Sequence, residues 1–446
     1  MFYAAAFAIL ALACTILAFW RHPIYGLYLY LATTYVYPQG RWWGYLLPDL
    51  RWALLSAGVT VLAICFNLGK LRAKPIWLAN APAVILTLYC AWMWVQTPWA
   101  LGVPDHLNGV VTFSKYLLGF WFVYRVVDSA DRVRDLLLAH VLGCGLLGVF
   151  AQLMGRDGDR LDGVGGPGID DANTLGMYLV TGAIIGTGLV LTQRGWRRYL
   201  SLACLVVIAN GFVLANSRGS FLGLVVGGLV LAVCKARQHR WLFWSFALVG
   251  LMGLAVVMDK AFIDRMFTIQ DATSQDEDAD MSSRSRVEVA KAQLQMFLDY
   301  PMGTGHRGTA ALSALYLESK WLSLDKSGDQ STAARSSHNT FLTTLVEQGV
   351  LGALLFIILA LWSVGAMLRI RRMRGPAYDP ALTTLGASMC GALAVIFAAG
   401  NTADYLLAEV QFWLFAALVS MLWLSERDTP SQYASSEVVG LRRLAA

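Results

Sequence analysis

The chain is 446 residues long, 57% hydrophobic and only 14% charged, with a formal net charge of +6. A soluble domain has roughly 45 to 50% apolar and about 25% charged residues, so an ordinary globular core is excluded and lipid must be part of the fold. The positive excess sits in short basic connections that membrane topology accounts for, which leaves no basic surface to assign to nucleic acid.

Apolar runs near the roughly 20 residues that cross a bilayer recur along the chain. They predict an all-α, polytopic membrane protein with spans at 2–20, 23–38, 51–68, 76–96, 109–127, 133–154, 172–192, 199–215, 219–235, 240–258, 339–367, 381–400 and 405–424. The second run is short and begins with Pro23, so the count is about 12, with 13 possible. Phe2 to Trp20 lacks a basic n-region and a cleavage site and is read as a retained span rather than a signal peptide. All seven cysteines lie inside apolar runs without metal-ligand spacing, which argues against structural disulfides and a zinc site.

Basic residues cluster in alternate connections, at Lys70 to Lys74, Arg125 to Arg134, Arg194 to Arg198, Lys235 to Arg240 and Arg369 to Arg374, and the positive-inside rule puts these in the cytoplasm. The outer connections are then 97–108, 155–171, 216–218, 259–338 and 401–404. The organisation predicted is a transmembrane bundle over 1–258, a helical periplasmic domain over 259–338, further transmembrane helices over 339–424 and a cytoplasmic tail over 425–446. Few acidic residues fall within spans, and neither inverted halves nor a filter sequence is present, so coupled transport is the weaker reading.

The long polar segment predicts two amphipathic helices over the membrane surface. Val287, Ala290, Leu294, Phe297 and Leu298 mark the apolar face of the first, which stops before Pro301; Leu312, Leu315, Tyr316 and Leu322 mark that of the second, which ends near Asp325. The acidic stretch Asp276, Glu277, Asp278 and Asp280 reads as a solvated loop rather than a metal site.

Topology gives no reason for the outer arginines Arg218, Arg265, Arg284, Arg286, Arg307 and Arg335. Guanidinium groups grip phosphate through paired hydrogen bonds, so such a cluster suits a lipid-linked phosphate; the plainer reading is snorkelling to lipid headgroups. Arg218 fits the plainer reading least. It stands in Asn216-Ser217-Arg218-Gly219-Ser220, a tight turn opening a helix, where Ser217, Ser220 and backbone donors would meet an anion. His338, in Ser337-His338-Asn339-Thr340, stands where the loop meets the next apolar helix, and imidazole accepts a proton near neutral pH. A lone interfacial histidine is more often structural, but arginine-bearing turns reaching the same surface favour chemistry.

Four stretches together resemble the O-antigen ligases and the related O-antigen polymerases of bacterial envelopes: Gly168 to Leu175 (GIDDANTL), Asn216 to Leu222 (NSRGSFL), Ser285-Arg286 with Tyr300 to Gly305 (YPMGTG), and Ser337 to Gly352 (SHNTFLTTLVEQGVLG). The likeness covers about 160–365. It implies a metal-independent glycosyltransferase without a cofactor, in the bacterial inner membrane with its active site facing the periplasm. Its donor would be an undecaprenyl pyrophosphate-linked glycan and its acceptor a lipid A core sugar. By the resemblance, His338 is the general base, and Arg218 and Arg286 hold the departing pyrophosphate. Arg284, Ser217, Ser220, Asn173, Asn339 and Arg307 would line the substrate site. Where the family often has Trp four residues after the second arginine, this chain has Ala290, so Arg284 can share or take the role given to Arg286. Asn173 matches the family's Asn before a span, where its task can be to cap the helix.

Ligase is favoured over polymerase because the large outer loop comes late and precedes the His motif. Ligases that attach glycan to protein or to exosortase-associated polysaccharide are a third reading. A non-catalytic membrane scaffold is the reading from another class.

Overall fold

In the computed structural model, residues 1–156, 161–267, 277–322, 335, 337–373 and 378–427 are described, with 261, 264, 265, 267 and 277–284 described by their backbone alone. Among them are sixteen α-helices and no strand: α1 (Phe2–Trp20), α2 (Ile24–Val36), α3 (Trp52–Phe66), α4 (Ala81–Gln96), α5 (Val103–Val126), α6 (Ala130–Met154), α7 (Ala172–Thr192), α8 (Trp196–Ala215), α9 (Arg218–Cys234), α10 (Arg240–Val257), α11 (Lys260–Phe267), α12 (Glu277–Asp299), α13 (Gly308–Tyr316), α14 (Thr340–Arg372), α15 (Pro380–Ala399) and α16 (Glu409–Arg427). Seven are long and apolar enough to cross a membrane: α1, α6, α7, α8, α10 with the turn before it, α14 and α15. The apolar helices α3 and α9 are shorter, with 15 and 17 residues. The second run gives only the 13 residues of α2, which end at Tyr37 with φ 46°.

Helices α7 and α15 form the centre and are buried along most of their length. Small residues let the backbones approach, as packing within lipid favours. Gly223 and Gly227 of α9, for instance, sit directly against Val395 and Gly391 of α15. By contrast α10 buries only Phe243 and lies at the periphery.

The predicted connections sort to two ends. At one end, Lys74 Nζ donates to the carbonyls of Tyr124 and Val127 (both 2.7 Å), Arg197 pairs with Asp135 (2.8 Å) and Arg134 with Asp379 (3.3 Å). His239 reaches Thr384 at the same end (2.7 Å). These contacts join the basic connections. At the other end, Leu101 N–H donates to the Thr304 carbonyl (3.0 Å), Arg156 pairs with Asp259 (3.2 Å) and Thr340 N–H donates to the Gly400 carbonyl (2.7 Å).

Helix α14 breaks at Gly349 (φ 65°, ψ −167°). The break frees backbone groups that lipid cannot satisfy, and the Tyr300 to Gly305 turn lodges against it. Thr304 N–H donates to the Val346 carbonyl (3.1 Å), Gly305 N–H to that of Glu347 (2.9 Å), and Val350 N–H to that of Pro301 (3.0 Å). From α4, Trp92 Nε1 donates to the Gln348 carbonyl (2.7 Å) and Gln96 Nε2 to the Glu347 carbonyl (3.1 Å). A β-carbon at Gly349 would fall 2.5 Å from the Pro301 carbonyl oxygen. The residue is therefore held to glycine by both φ and space.

Above the bundle, α12 and α13 pack on the start of α14 through Ala292, Met296, Leu312 and Val346. The burial corrects the predicted face of α12. Ser285, Val289, Ala292, Gln293 and Met296 point inward, while Val287, Leu294 and Leu298 are 53%, 49% and 74% exposed. The inner face packs Ala292 and Met296 against Leu312 and Val346 and carries Ser285 and Gln293 toward Arg335 and Ser337, while the leucines stay exposed. The second helix stops at Tyr316, with Leu315 77% exposed and a 3-10 turn over Ser319–Trp321 beyond it. Asp325, Asp276 and the tail from 428 lie outside the described residues.

Replacing Gly349 with Ala should lower the unfolding temperature of the purified protein by several degrees, since a backbone geometry open essentially to glycine alone costs about 1–3 kcal/mol and the contact with Pro301 adds to it. An unchanged melting curve would mean that the break tolerates a side chain.

Candidate active site

His338, Asn339, Arg286, Ala290, Arg335 and Asn401 line one cleft of about 70 Å³. Asn339 positions the histidine: it caps α14, its Oδ1 accepting from Phe341 N–H (2.9 Å) and Leu342 N–H (3.1 Å). The neighbouring Ser337 hydroxyl accepts from the buried Gln293 of α12 (2.9 Å). His338 is exposed on this tethered bend, and Arg286 is exposed on α12 across the cleft. Arg335, which sequence reasoning placed on the outer face but gave no role, is the second guanidinium lining the cleft. Its NH2 donates to Ser285 Oγ (3.0 Å) and its backbone N–H to Ser313 Oγ (2.9 Å). Its position three residues before His338 was the available signal. Arg284 and Arg265 lie outside the described side chains.

Arg218 does not line this cleft; it is the half-buried first residue of α9. The loop after α15 connects the two places. Asn401 lines the cleft, and its neighbour Thr402 packs on Gly219 so closely that a β-carbon there would meet the Thr402 hydroxyl at 1.7 Å. The chain enters this turn through Asn216, at φ 50°, a geometry Asn tolerates better than most residues.

Ser217 and Ser220 are buried beneath the turn. Ser217 Oγ accepts from Ser220 N–H (3.3 Å) as the helix cap and donates to Asn173 Oδ1 (3.0 Å), while Ser220 Oγ donates to the Asn173 carbonyl (3.2 Å). All three act on the turn by holding α9 to α7. Asn173 is not the cap of α7: Asp171 fills that place, accepting from Asn173 N–H (2.9 Å) and Thr174 N–H (3.1 Å). The Asp171 side chain reaches back to the first turn, and Asn173, already inside the helix, is free to turn toward α9.

Arg307 lies in a second cavity of about 300 Å³, bounded by His306, Thr309, Ser337, Glu347 and Asp404. His306 Nδ1 stands 3.3 Å from Glu347 Oε2. Its backbone N–H donates to His106 Nδ1 (2.9 Å), whose Nε2–H donates in turn to the Met93 carbonyl (2.9 Å). Burial pulls the His306 pKa down, but the hydrogen bond and charge of Glu347, joined by Asp404, outweigh it and the net shift is upward. The protein packed around it and the Glu347 charge push Asp404 up to about 6, although the side chain is exposed at the cavity, where solvent weakens both effects. Sequence reasoning missed His306, Glu347 and Asp404, because the first two are adjacent only through the turn lodged at Gly349 and Asp404 belongs to a third connection.

Part of the chain is similar to the O-antigen ligase family. The match to that family model runs over residues 202–357. It contains the Asn216, Ser285, Tyr300 and Ser337 stretches, hence Arg218, Arg286, Arg335 and His338; Gly168 to Leu175 lies before it. No curated protein matches the chain.

The raised Asp404 and His306 pKa values fix the sign of a pH effect. Between the unfolded Asp value near 3.8 and about 6, the folded chain holds the extra proton, and above 6.5 His306 does likewise. Stability of the outer end therefore falls as pH rises from 4 through 7. Protection factors at Thr304 and Gly305, which divide out the intrinsic base-catalysed rise in exchange, should fall by up to about tenfold per pH unit for one coupled proton. Asp404→Asn should flatten that dependence; an equal slope in the variant would contradict it.

Proposed function

We propose that the protein is an O-antigen ligase, transferring glycan from undecaprenyl pyrophosphate to a lipid A core sugar at the periplasmic face of the bacterial inner membrane. In this reading the chain crosses that membrane about 12 times, and the basic end of the bundle faces the cytoplasm. The observation that carries the proposal is the cleft in which His338 faces Arg286 and Arg335, with the Arg218 turn behind Asn401; the histidine and the three arginines fall within the segment similar to the O-antigen ligase family.

His338 accepts the proton of an acceptor hydroxyl, whose oxygen forms the new bond to the anomeric carbon of the donor. The bond from that carbon to the pyrophosphate oxygen breaks, and its electron pair leaves with the pyrophosphate. A glycosyl pyrophosphate is already activated, so the protein's task is to orient the nucleophile and stabilise charge on the leaving group. Arg218 and Arg286 are assigned the leaving group, with Arg335 beside them. Three guanidinium groups supply positive charge that a divalent cation would otherwise provide, which makes transfer metal-independent in this proposal.

In a reconstituted assay His338→Ala should reduce transfer by about 10²-fold or more, as loss of a general base does, while the protein stays folded. Arg286→Ala and Arg218→Ala should each impair use of the donor, and a chelator should leave turnover unchanged. Retained turnover in His338→Ala would overturn the assignment of the base. Loss with chelator that a divalent cation restores would overturn metal independence.

A further inference from the structure

We infer that the cavity between His306, Thr309, Glu347 and Asp404 is a carbohydrate subsite that holds a neutral sugar ring of the acceptor. The inference rests on the ligase reading for the word acceptor; the chemistry of the cavity stands by itself.

The cavity lies on the other side of the His338 bend from the arginine cleft: Ser337 borders the first, and His338 and Asn339 border the second. Its volume of about 300 Å³ is at the lower end of small-molecule sites. Thr309 is 2% exposed, and among the described residues its hydroxyl has no hydrogen-bond partner; Glu347 is 3% exposed, and among the same residues its Oε2 meets only the His306 ring, at 3.3 Å. Such groups are destabilising unless something in the cavity satisfies them. Asp404 opens onto the same space from the loop between α15 and α16.

The charges select the ligand. Two carboxylates would repel a phosphate or another anion. Arg307 at the rim, and His306 when protonated, would repel a cation. An apolar group would leave all of these side chains unpaired. A polyhydroxylated ring fits, because each of its hydroxyls both donates and accepts: the carboxylates accept, Arg307 and His306 donate, and Thr309, Ser337 and Thr343 do either. A ring seated there lies one residue from His338 and away from Arg286 and Arg335. That position suits the sugar whose hydroxyl is deprotonated, not the one that leaves pyrophosphate.

The test uses the full chain in detergent with two soluble probes, the core oligosaccharide released from lipid A and an O-glycan repeat oligosaccharide free of carrier, observed by saturation-transfer NMR. Core oligosaccharide should bind, Thr309→Val and Asp404→Asn should each weaken it by about tenfold, and Thr309→Ser should restore it. His338→Ala should still bind it. In turnover, Thr309→Val should raise KM for the acceptor and not for the donor. Variants that keep wild-type affinity for both probes would overturn the subsite. Selective loss of the repeat oligosaccharide, or a rise in donor KM alone, would overturn its assignment to the acceptor. If the wild type transfers no glycan yet binds core oligosaccharide in a Thr309-dependent way, the ligase reading fails and the subsite stands.

Discussion

A helix apolar enough to cross a membrane that breaks along its length must hand its unpaired backbone groups to other parts of the protein, and the end of the bundle that carries His338 is arranged around that requirement. Gly349 breaks α14, and the turn from Tyr300 to Gly305 fills the gap with three backbone hydrogen bonds. Trp92 and Gln96 of α4 seal it from the other side. That insertion fixes His306 beside Glu347, and it anchors α12 and α13 over the start of α14, where His338 stands. Two motifs about forty residues apart in sequence thus form one structural unit.

The consequence for chemistry is a separation of charge. One cleft gathers Arg286 and Arg335 around His338, and the Arg218 turn is joined to it through Asn401 and Thr402. The adjoining cavity balances two carboxylates against Arg307 and His306. Ser337 borders the cavity and His338 the cleft, so the two spaces of different charge adjoin one short bend. The buried serines beneath Arg218 and the Asn339 cap hold the edges of this arrangement by hydrogen bonds within the protein.

Much of this was legible in the sequence wherever one chemical pattern had one structural solution. Runs of apolar residues gave helices, alternating basic loops gave two ends, and Arg286 and His338 proved to share a cleft. The face of α12 was misread because Ser285 and Gln293 turn inward to bond Arg335 and Ser337, partners that apolar periodicity does not reveal. Asn173 was read as a possible cap, but Asp171, two residues earlier, has the reach for that role. His306, Glu347 and Asp404 went unnoticed because their meeting depends on a backbone break that propensity and spacing do not encode.

The most direct measurement of the central claim is the lipopolysaccharide of a strain lacking this chain, complemented by the wild type or by His338→Ala. The account predicts core without O-antigen and accumulated carrier-linked polymer in the deletion, reversed by the wild type and not by the variant. A normal lipopolysaccharide pattern in the deletion, or full rescue by His338→Ala, would contradict it, and core bearing a single repeat unit would point to a polymerase instead.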